Sequence, residues 1–215
     1  FEEDPVRMIR AIRFEVKLEA KLDPKISSAI SQQSHLLGSI PPARLYDECV
    51  KLFHNEKSYR VFERLLETGL LKYLFQQTNN SKFIKKALNN TSERLKTSKS
   101  VTPAFLFSVF LWDSQNKHFN KLQKRNKSRF EAMNQASEEV INRQVKQVLM
   151  PKWLSARVRD IWLMQHQLEK CSVKKVNDLV ANPRFRMAYD FLVLRSQSIN
   201  PELRDRAEFW TQIQK

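Results

Sequence analysis

Two glycines in 215 residues set the tightest limit on what this chain can fold into. Sandwiches, barrels and dinucleotide-binding folds need glycine repeatedly, for left-handed turns and for close approach of backbone to backbone or phosphate. With only Gly38 and Gly69 available, the chain must be built from elements that need few such positions, and helices are those elements. The 41% hydrophobic content is enough for a packed core.

The helix starts are written in proline. Asp4-Pro5, Asp23-Pro24, Pro41-Pro42, Thr102-Pro103, Asn182-Pro183 and Asn200-Pro201 place a proline where its missing N–H costs nothing and its fixed φ suits a first helical turn. After Asp4-Pro5, Ile9, Ile12 and Val16 share one stripe while Arg10, Arg13 and Lys17 share the next, at about 100° per residue. A helix over 5–18 with a core face and a cationic face is expected. The second helix is expected to stop at Gly38, the third to carry Arg44, Leu45, Glu48 and Leu52, and the fourth to be capped by Ser58 and end at Gly69. Residues 76–100 read as a weakly structured connection with a short helix near Lys82–Leu88, followed by an apolar helix from Ala104 to Trp112, a basic stretch and further helices. The expected fold class is all-α, two packed helical subdomains without a sheet, divided into residues 1–75 and 76–215.

Charge divides the chain at the same place. The total is +15, but residues 1–75 hold 12 Lys/Arg against 11 Asp/Glu and residues 76–215 hold 26 against 12. Over 76–129 only Glu93 and Asp113 oppose 12 basic residues. Lys82, Lys85, Lys86, Lys117, Lys121, Lys124, Arg125, Lys127 and Arg129 are therefore candidates for contacting the phosphates of a polyanion, with Arg157, Arg184 and Arg186 in aromatic-rich segments further on. The same charges also fit a solvated face. Arg159 and Arg195 read as packing residues, and Trp112, Trp153, Trp162 and Trp210 as core. Cys49 and Cys171 share no metal-ligand spacing with any histidine and read as buried thiols. No apolar run is long enough to span a bilayer, so no membrane role and a cytoplasmic location are expected.

The sharpest local signal is Glu3-Asp4-Pro5-Val6-Arg7. A carboxylate and a guanidinium three residues apart at a helix N-terminus project to one side. Such a pair can accept from an exocyclic amine and donate to ring acceptors, reading a base edge without a template. The spacing equally fits a capping aspartate with a local ion pair.

The segment continues as Arg10-Ala11-Ile12-Arg13-Phe14 and resembles the E-D-x-x-R base-selecting motif of class II nucleotidyltransferases, the bacterial poly(A) polymerases and CCA-adding enzymes. Ile40-Pro41-Pro42-Ala43-Arg44-Leu45 with Glu48 and Lys51-Leu52, Pro103 to Phe107, Asp160-Ile161-Trp162, and Asn182 to Arg186 through Ala188-Tyr189-Asp190 resemble the poly(A) polymerase branch. The resemblance implies that Asp4 and Arg7 select the incoming base, Glu3 orients Arg7, and Arg10 and Arg13 brace the site or approach phosphate. It implies that the parent enzyme adds AMP from ATP to RNA 3′ ends, promoting RNA turnover, with RNA-degradation or RNA-chaperone proteins as partners. Its catalytic head supplies the D-x-D pair that holds Mg²⁺. No Asp-x-Asp occurs here, Gly38-Ser39 precedes Pro41 rather than forming a phosphate loop, and the arginine-rich tail of some relatives does not follow before Lys215. This region is thus expected to hold no metal, to contain no catalytic residue and to be inert alone. A CCA-adding enzyme and a non-catalytic helical RNA-binding adaptor are the alternative readings.

Overall fold

The computed structural model describes residues 1–75, 78, 82–99 and 101–214. Residues 76, 77 and 79–81, where the second subdomain was expected to begin, lie outside the described residues. Eleven α-helices and no strand occur among the described residues. They are α1 Val6–Leu18, α2 Pro24–Gln33, α3 Pro42–Phe53, α4 Ser58–Glu67, α5 Lys82–Lys96, α6 Pro103–Gln123, α7 Arg129–Gln147, α8 Lys152–Glu169, α9 Val176–Val180, α10 Phe185–Ser198 and α11 Arg204–Ile213.

The chain forms two compact units. One comprises Phe1–Asn79, Leu88–Pro103 and Ile141–Met150, and the other Asn80–Ala87, Ala104–Val140 and Pro151–Lys215. Helices α5 and α7 therefore supply residues to both.

In the first unit, α1, α3 and α4 pack mutually around Ile9, Ile12, Leu45, Leu52, Phe62 and Leu65. Amphipathic periodicity explains this packing, because each helix turns one apolar stripe inward. Asp23 caps α2 by accepting from the Lys25 N–H at 2.8 Å. Helix α2 stops at Gln33, and a 3-10 helix, Ser34–Ser39, carries the chain past Gly38. Ser58 is not a cap; its buried hydroxyl donates to the Leu88 carbonyl at 3.3 Å. Gly69 sits just beyond α4 with φ of 71°, a left-handed conformation that side chains disfavour.

In the second unit, α8, α10 and α11 enclose Trp162, Leu168, Phe185, Leu192 and Trp210. Phe191 is fully buried, with the rings of Phe83 and Trp112 edge-on at 5.4 and 5.2 Å. The indole N–H groups of Trp162 and Trp210 donate to the carbonyls of Ser108 and Leu168 at 3.2 and 2.9 Å, which is what allows such large rings to be buried. Trp153 departs from expectation: it is 47% exposed.

The short helix expected near Lys82–Leu88 is present and runs on to Lys96 as the fifteen-residue α5, whose Phe83, Ile84, Ala87 and Leu88 recur at helical spacing and are buried. The apolar helix expected to end at Trp112 continues to Gln123 because Phe119 and Leu122 extend its buried stripe. Helix α7 then begins with a capping box. The Glu131 N–H bonds the Ser128 hydroxyl at 3.2 Å, and the Ser128 N–H bonds the Glu131 carboxylate at 3.2 Å.

Candidate nucleotide and nucleic-acid interface

The N-terminus of α1 carries the motif singled out by sequence. One oxygen of Asp4 accepts the Val6 N–H at 3.2 Å, tying the carboxylate to the start of α1. Its other oxygen accepts from the Arg44 guanidinium of α3 at 2.9 Å. Asp4 is thereby held by two independent contacts and is only 18% exposed. Arg7 is held differently. Its Nε lies 3.9 Å from Asp4 and its Nη1 3.7 Å from Glu3, beyond good hydrogen-bond distance, and its side chain is 61% exposed. A fixed acceptor stands beside an adjustable donor fork. The carboxylate's remaining lone pairs can accept hydrogen bonds and the guanidinium's N–H groups can donate them.

One turn further along, Arg10 reaches back into the fold. Its Nη2 and Nε donate to the same oxygen of Glu48 at 2.9 and 3.1 Å, and Lys51 Nζ adds a longer contact at 3.4 Å. Glu48 is 1% exposed. Burial pushes its carboxyl upward, but the hydrogen bond and charge of Arg10, with Lys51, outweigh burial and hold it below the ordinary range. The same bond raises Arg10. Burial pushes the neighbouring Cys49 thiol up, keeping it protonated and inert. Arg10 is thus a brace between α1 and α3. Arg13 stacks over Phe14 at 4.7 Å, its buried Nε has no hydrogen-bond partner, and it lines a separate cavity with Lys17, Lys51, His54 and Lys57.

Arg44 and Glu48 are the residues that sequence reasoning left out of the site. Glu48 had a signal, since it falls between Leu45 and Leu52 on the stripe α3 buries. A charge on an apolar stripe needs a partner from another element.

The cations of the second unit divide by environment. Lys82, Lys86, Lys117, Lys121, Lys124, Arg125 and Lys127 lie on exposed positions of α5, α6 and the turn before α7, as does Lys85. Lys127 is bonded to Gln135. Arg129 is half-buried, pairs with Glu169 at 3.2 Å and lies 5.5 Å over Phe119. Arg184 pairs with Asp160, and Arg186 with Asp190 at 3.2 Å. Arg157 lies 5.3 Å over the exposed ring of Trp153, an arrangement open to solvent. Arg195 is 7% exposed and packs as expected, bonded to Glu169 at 2.7 Å and Gln165 at 3.2 Å, and lying over Trp112 at 4.8 Å. Arg159 is exposed rather than packed, and Cys171 is half-buried.

Among the described residues, no group of three or more His, Cys, Asp or Glu side chains is placed to hold a metal ion. No helix among them is long and apolar enough to cross a membrane.

Two family models match the chain. One, described as "Polymerase A arginine-rich C-terminus", covers residues 125–215, and the other, "Probable RNA and SrmB- binding site of polymerase A", covers residues 21–82. Poly(A) polymerase I of Salmonella typhimurium is 33% identical over 226 aligned residues, taking in 100% of this chain and 49% of the relative. Along its whole length the chain is similar to part of the bacterial poly(A) polymerases. Poly(A) polymerase I of Haemophilus influenzae is 31% identical over 100% of this chain and 50% of its own length. The chain spans about half the length of these curated poly(A) polymerases. A CCA-adding enzyme of Lactobacillus johnsonii is 41% identical over 70 residues, 33% of this chain and 18% of the relative. Helix α1 and its Asp4–Arg7 pair precede both matched segments.

Proposed function

We propose that this region selects the nucleotide and holds the RNA for a polynucleotide adenylyltransferase that adds AMP from ATP to RNA 3′ ends. The observation that carries the reading is the anchoring of Asp4. Its carboxylate is immobilised between the α1 N-terminus and Arg44 while Arg7 stays adjustable beside it. Asp4 accepts from the adenine amine and Arg7 donates to the adjacent ring nitrogen, with Glu3 orienting Arg7. Arg10 acts through Glu48 as a positioning residue, keeping α1 fixed against α3. The exposed lysines and arginines between residues 82 and 129, with Arg157, Arg184 and Arg186, attract the RNA backbone without reading sequence. Nucleotidyl transfer belongs to a catalytic head outside these residues, so the region alone is inert. RNA-degradation or RNA-chaperone proteins are the expected partners, and the cytoplasm the expected compartment.

The test joins these residues to a family catalytic head and measures incorporation of each of the four nucleotides onto a generic RNA. Asp4→Ala and Arg7→Ala should each cut the preference for ATP on the order of tenfold to a hundredfold, the loss expected for one well-made base-edge contact. Arg44→Ala should weaken the preference less, because it removes only the brace. An unchanged preference in Asp4→Ala would sink the assignment.

The similarity to a CCA-adding enzyme over 70 residues supports a second reading, in which the same motif serves CTP and ATP in turn. Addition that stops after CCA on tRNA would establish it over tailing.

A further inference from the structure

A cavity of about 570 Å³ in the first unit shares no residue with the Asp4–Arg7 pair. Four cations line it: Arg13 and Lys17 from α1, Lys51 from α3 and Lys57 from the turn before α4. Glu56 is the one carboxylate among its described lining residues. Arg13 stands six positions beyond Arg7, about 9 Å of helix rise. Part of the positive charge is already answered. Lys57 bonds Glu19 at 2.6 Å. Lys51 reaches Glu48 at 3.4 Å, but the two shorter Arg10 bonds, at 2.9 and 3.1 Å, already take up that carboxylate's charge. Lys17 and Lys51 also lie in the last turns of α1 and α3, where cations offset the helix dipole. None of this accounts for Arg13. Its guanidinium stacks over Phe14 at 4.7 Å, yet its Nε is buried and has no hydrogen-bond partner. A buried charged donor left unmade is costly, and an anionic oxygen entering the cavity that Arg13 lines supplies the missing acceptor. The turn that carries Lys57 is already fixed, because the Asn55 side chain accepts the Lys57 N–H at 2.8 Å and donates to the Leu52 carbonyl.

The chemistry of the walls selects the ligand. Cations gathered in one cavity repel each other, and a bound anion relieves that repulsion. An internal phosphodiester or a single carboxylate brings one charge, whereas a di- or triphosphate brings several on one compact group, with oxygens enough for a guanidinium fork and several ammonium groups together. A nucleic-acid strand spreads its charges along a track instead of concentrating them in one place. We infer that this cavity is a site for a compact oligophosphate anion, either free pyrophosphate or the phosphate chain of a nucleoside phosphate, with Arg13 Nε as its buried donor and Lys17, Lys51 and Lys57 around it. Its volume lies within the usual range of ligand sites. The site is separate from base selection at Asp4 and does not rest on the RNA-holding reading.

The experiment is isothermal titration calorimetry of the whole chain with sodium pyrophosphate at fixed ionic strength, followed by competition with ATP and with oligoadenylate. Pyrophosphate should bind saturably at one site, and a parent chain that shows no saturable binding overturns the inference. Arg13→Met should weaken binding on the order of tenfold to a hundredfold, as loss of a charge-assisted hydrogen bond does. Lys17→Ala/Lys57→Ala, which alters no core side chain, should weaken it on the order of tenfold, and keeps the test open if circular dichroism melting shows that Arg13→Met does not fold. The charge-matched control Lys25→Ala/Lys152→Ala removes exposed lysines outside the cavity and should keep the parent affinity. Losses of equal size in the lysine variant and this control would reduce the binding to general charge attraction and overturn the site. Displacement of pyrophosphate by ATP supports the site and shows that a nucleoside phosphate enters it, while pyrophosphate that ATP does not displace supports a site for the free anion. Displacement by oligoadenylate would make the cavity part of an RNA track and overturn the inference. Asp4→Ala should leave pyrophosphate affinity unchanged; a loss there would merge the cavity with the base-selecting site and overturn a separate one. Nucleotide preference is measured independently, so failure of the base-selecting reading leaves this result standing.

Discussion

Arg195 offers a clean test of whether an arginine in the unit proposed to attract RNA clamps RNA or holds the fold. Replacing it with methionine keeps the apolar stem but deletes the guanidinium that bonds Glu169 at 2.7 Å and Gln165 at 3.2 Å and covers Trp112 at 4.8 Å. Burial lowers the Arg195 pKa, opposed by Glu169, and the side chain is nearly inaccessible. Breaking a buried pair from one side costs about 3–5 kcal/mol because the other charge is stranded. Here Glu169 keeps a second partner, Arg129 at 3.2 Å, so the lower part of that range, about 3 kcal/mol, is expected. For a chain of this size that is a melting shift of about 6–12 °C. Adding Glu169→Leu removes the stranded carboxylate, so the double variant should lose less than the two single losses combined, with a coupling of about 1 kcal/mol or more. Urea denaturation of the four proteins gives the cycle, and oligoadenylate titration at a temperature where all are folded gives the binding. A loss of less than about 1 kcal/mol in Arg195→Met accompanied by weakened RNA binding would falsify the packing assignment and make Arg195 a clamp.

Two further outcomes follow from single side chains. Glu48→Gln should lower the melting temperature at neutral pH, and the gap to the parent should close in acid. The folded carboxyl lies below the ordinary value near 4.5, so its contribution is present above that pH and is lost as pH falls through the folded pKa. A gap of the same size at neutral and strongly acidic pH would disprove it. Ser128→Ala removes one half of the α7 capping box and should cost about 1 kcal/mol by urea denaturation, and an unchanged stability would refute a capping role for Ser128.

The sequence specified much of this molecule because its signals are local. Scarce glycine, proline at helix starts and 3.6-residue periodicity are carried within a few neighbouring residues, so the all-α class, α1 and α3 could be read directly. The Asp4–Arg7 spacing was equally visible. Local signals erred where tertiary burial decided the outcome. Ser58 sits at a helix start but turns its hydroxyl to Leu88, and the short helix expected near Lys82–Leu88 runs on to Lys96. Trp153, read as core, stays exposed because its neighbours on α8 already take the buried face.

By itself, then, the sequence determined the helical class, the positions of most helix starts, the excess of positive charge after residue 75 and the three-residue spacing of the Asp4–Arg7 pair. Only the tertiary structure decided who holds that pair. Arg44 anchors Asp4 and Glu48 anchors Arg10 across 40 and 38 residues of chain. It also decided that Arg13, Lys17, Lys51 and Lys57 line one cavity. Contacts at such separations depend on how helices pack, and no periodicity within a single helix encodes its partner.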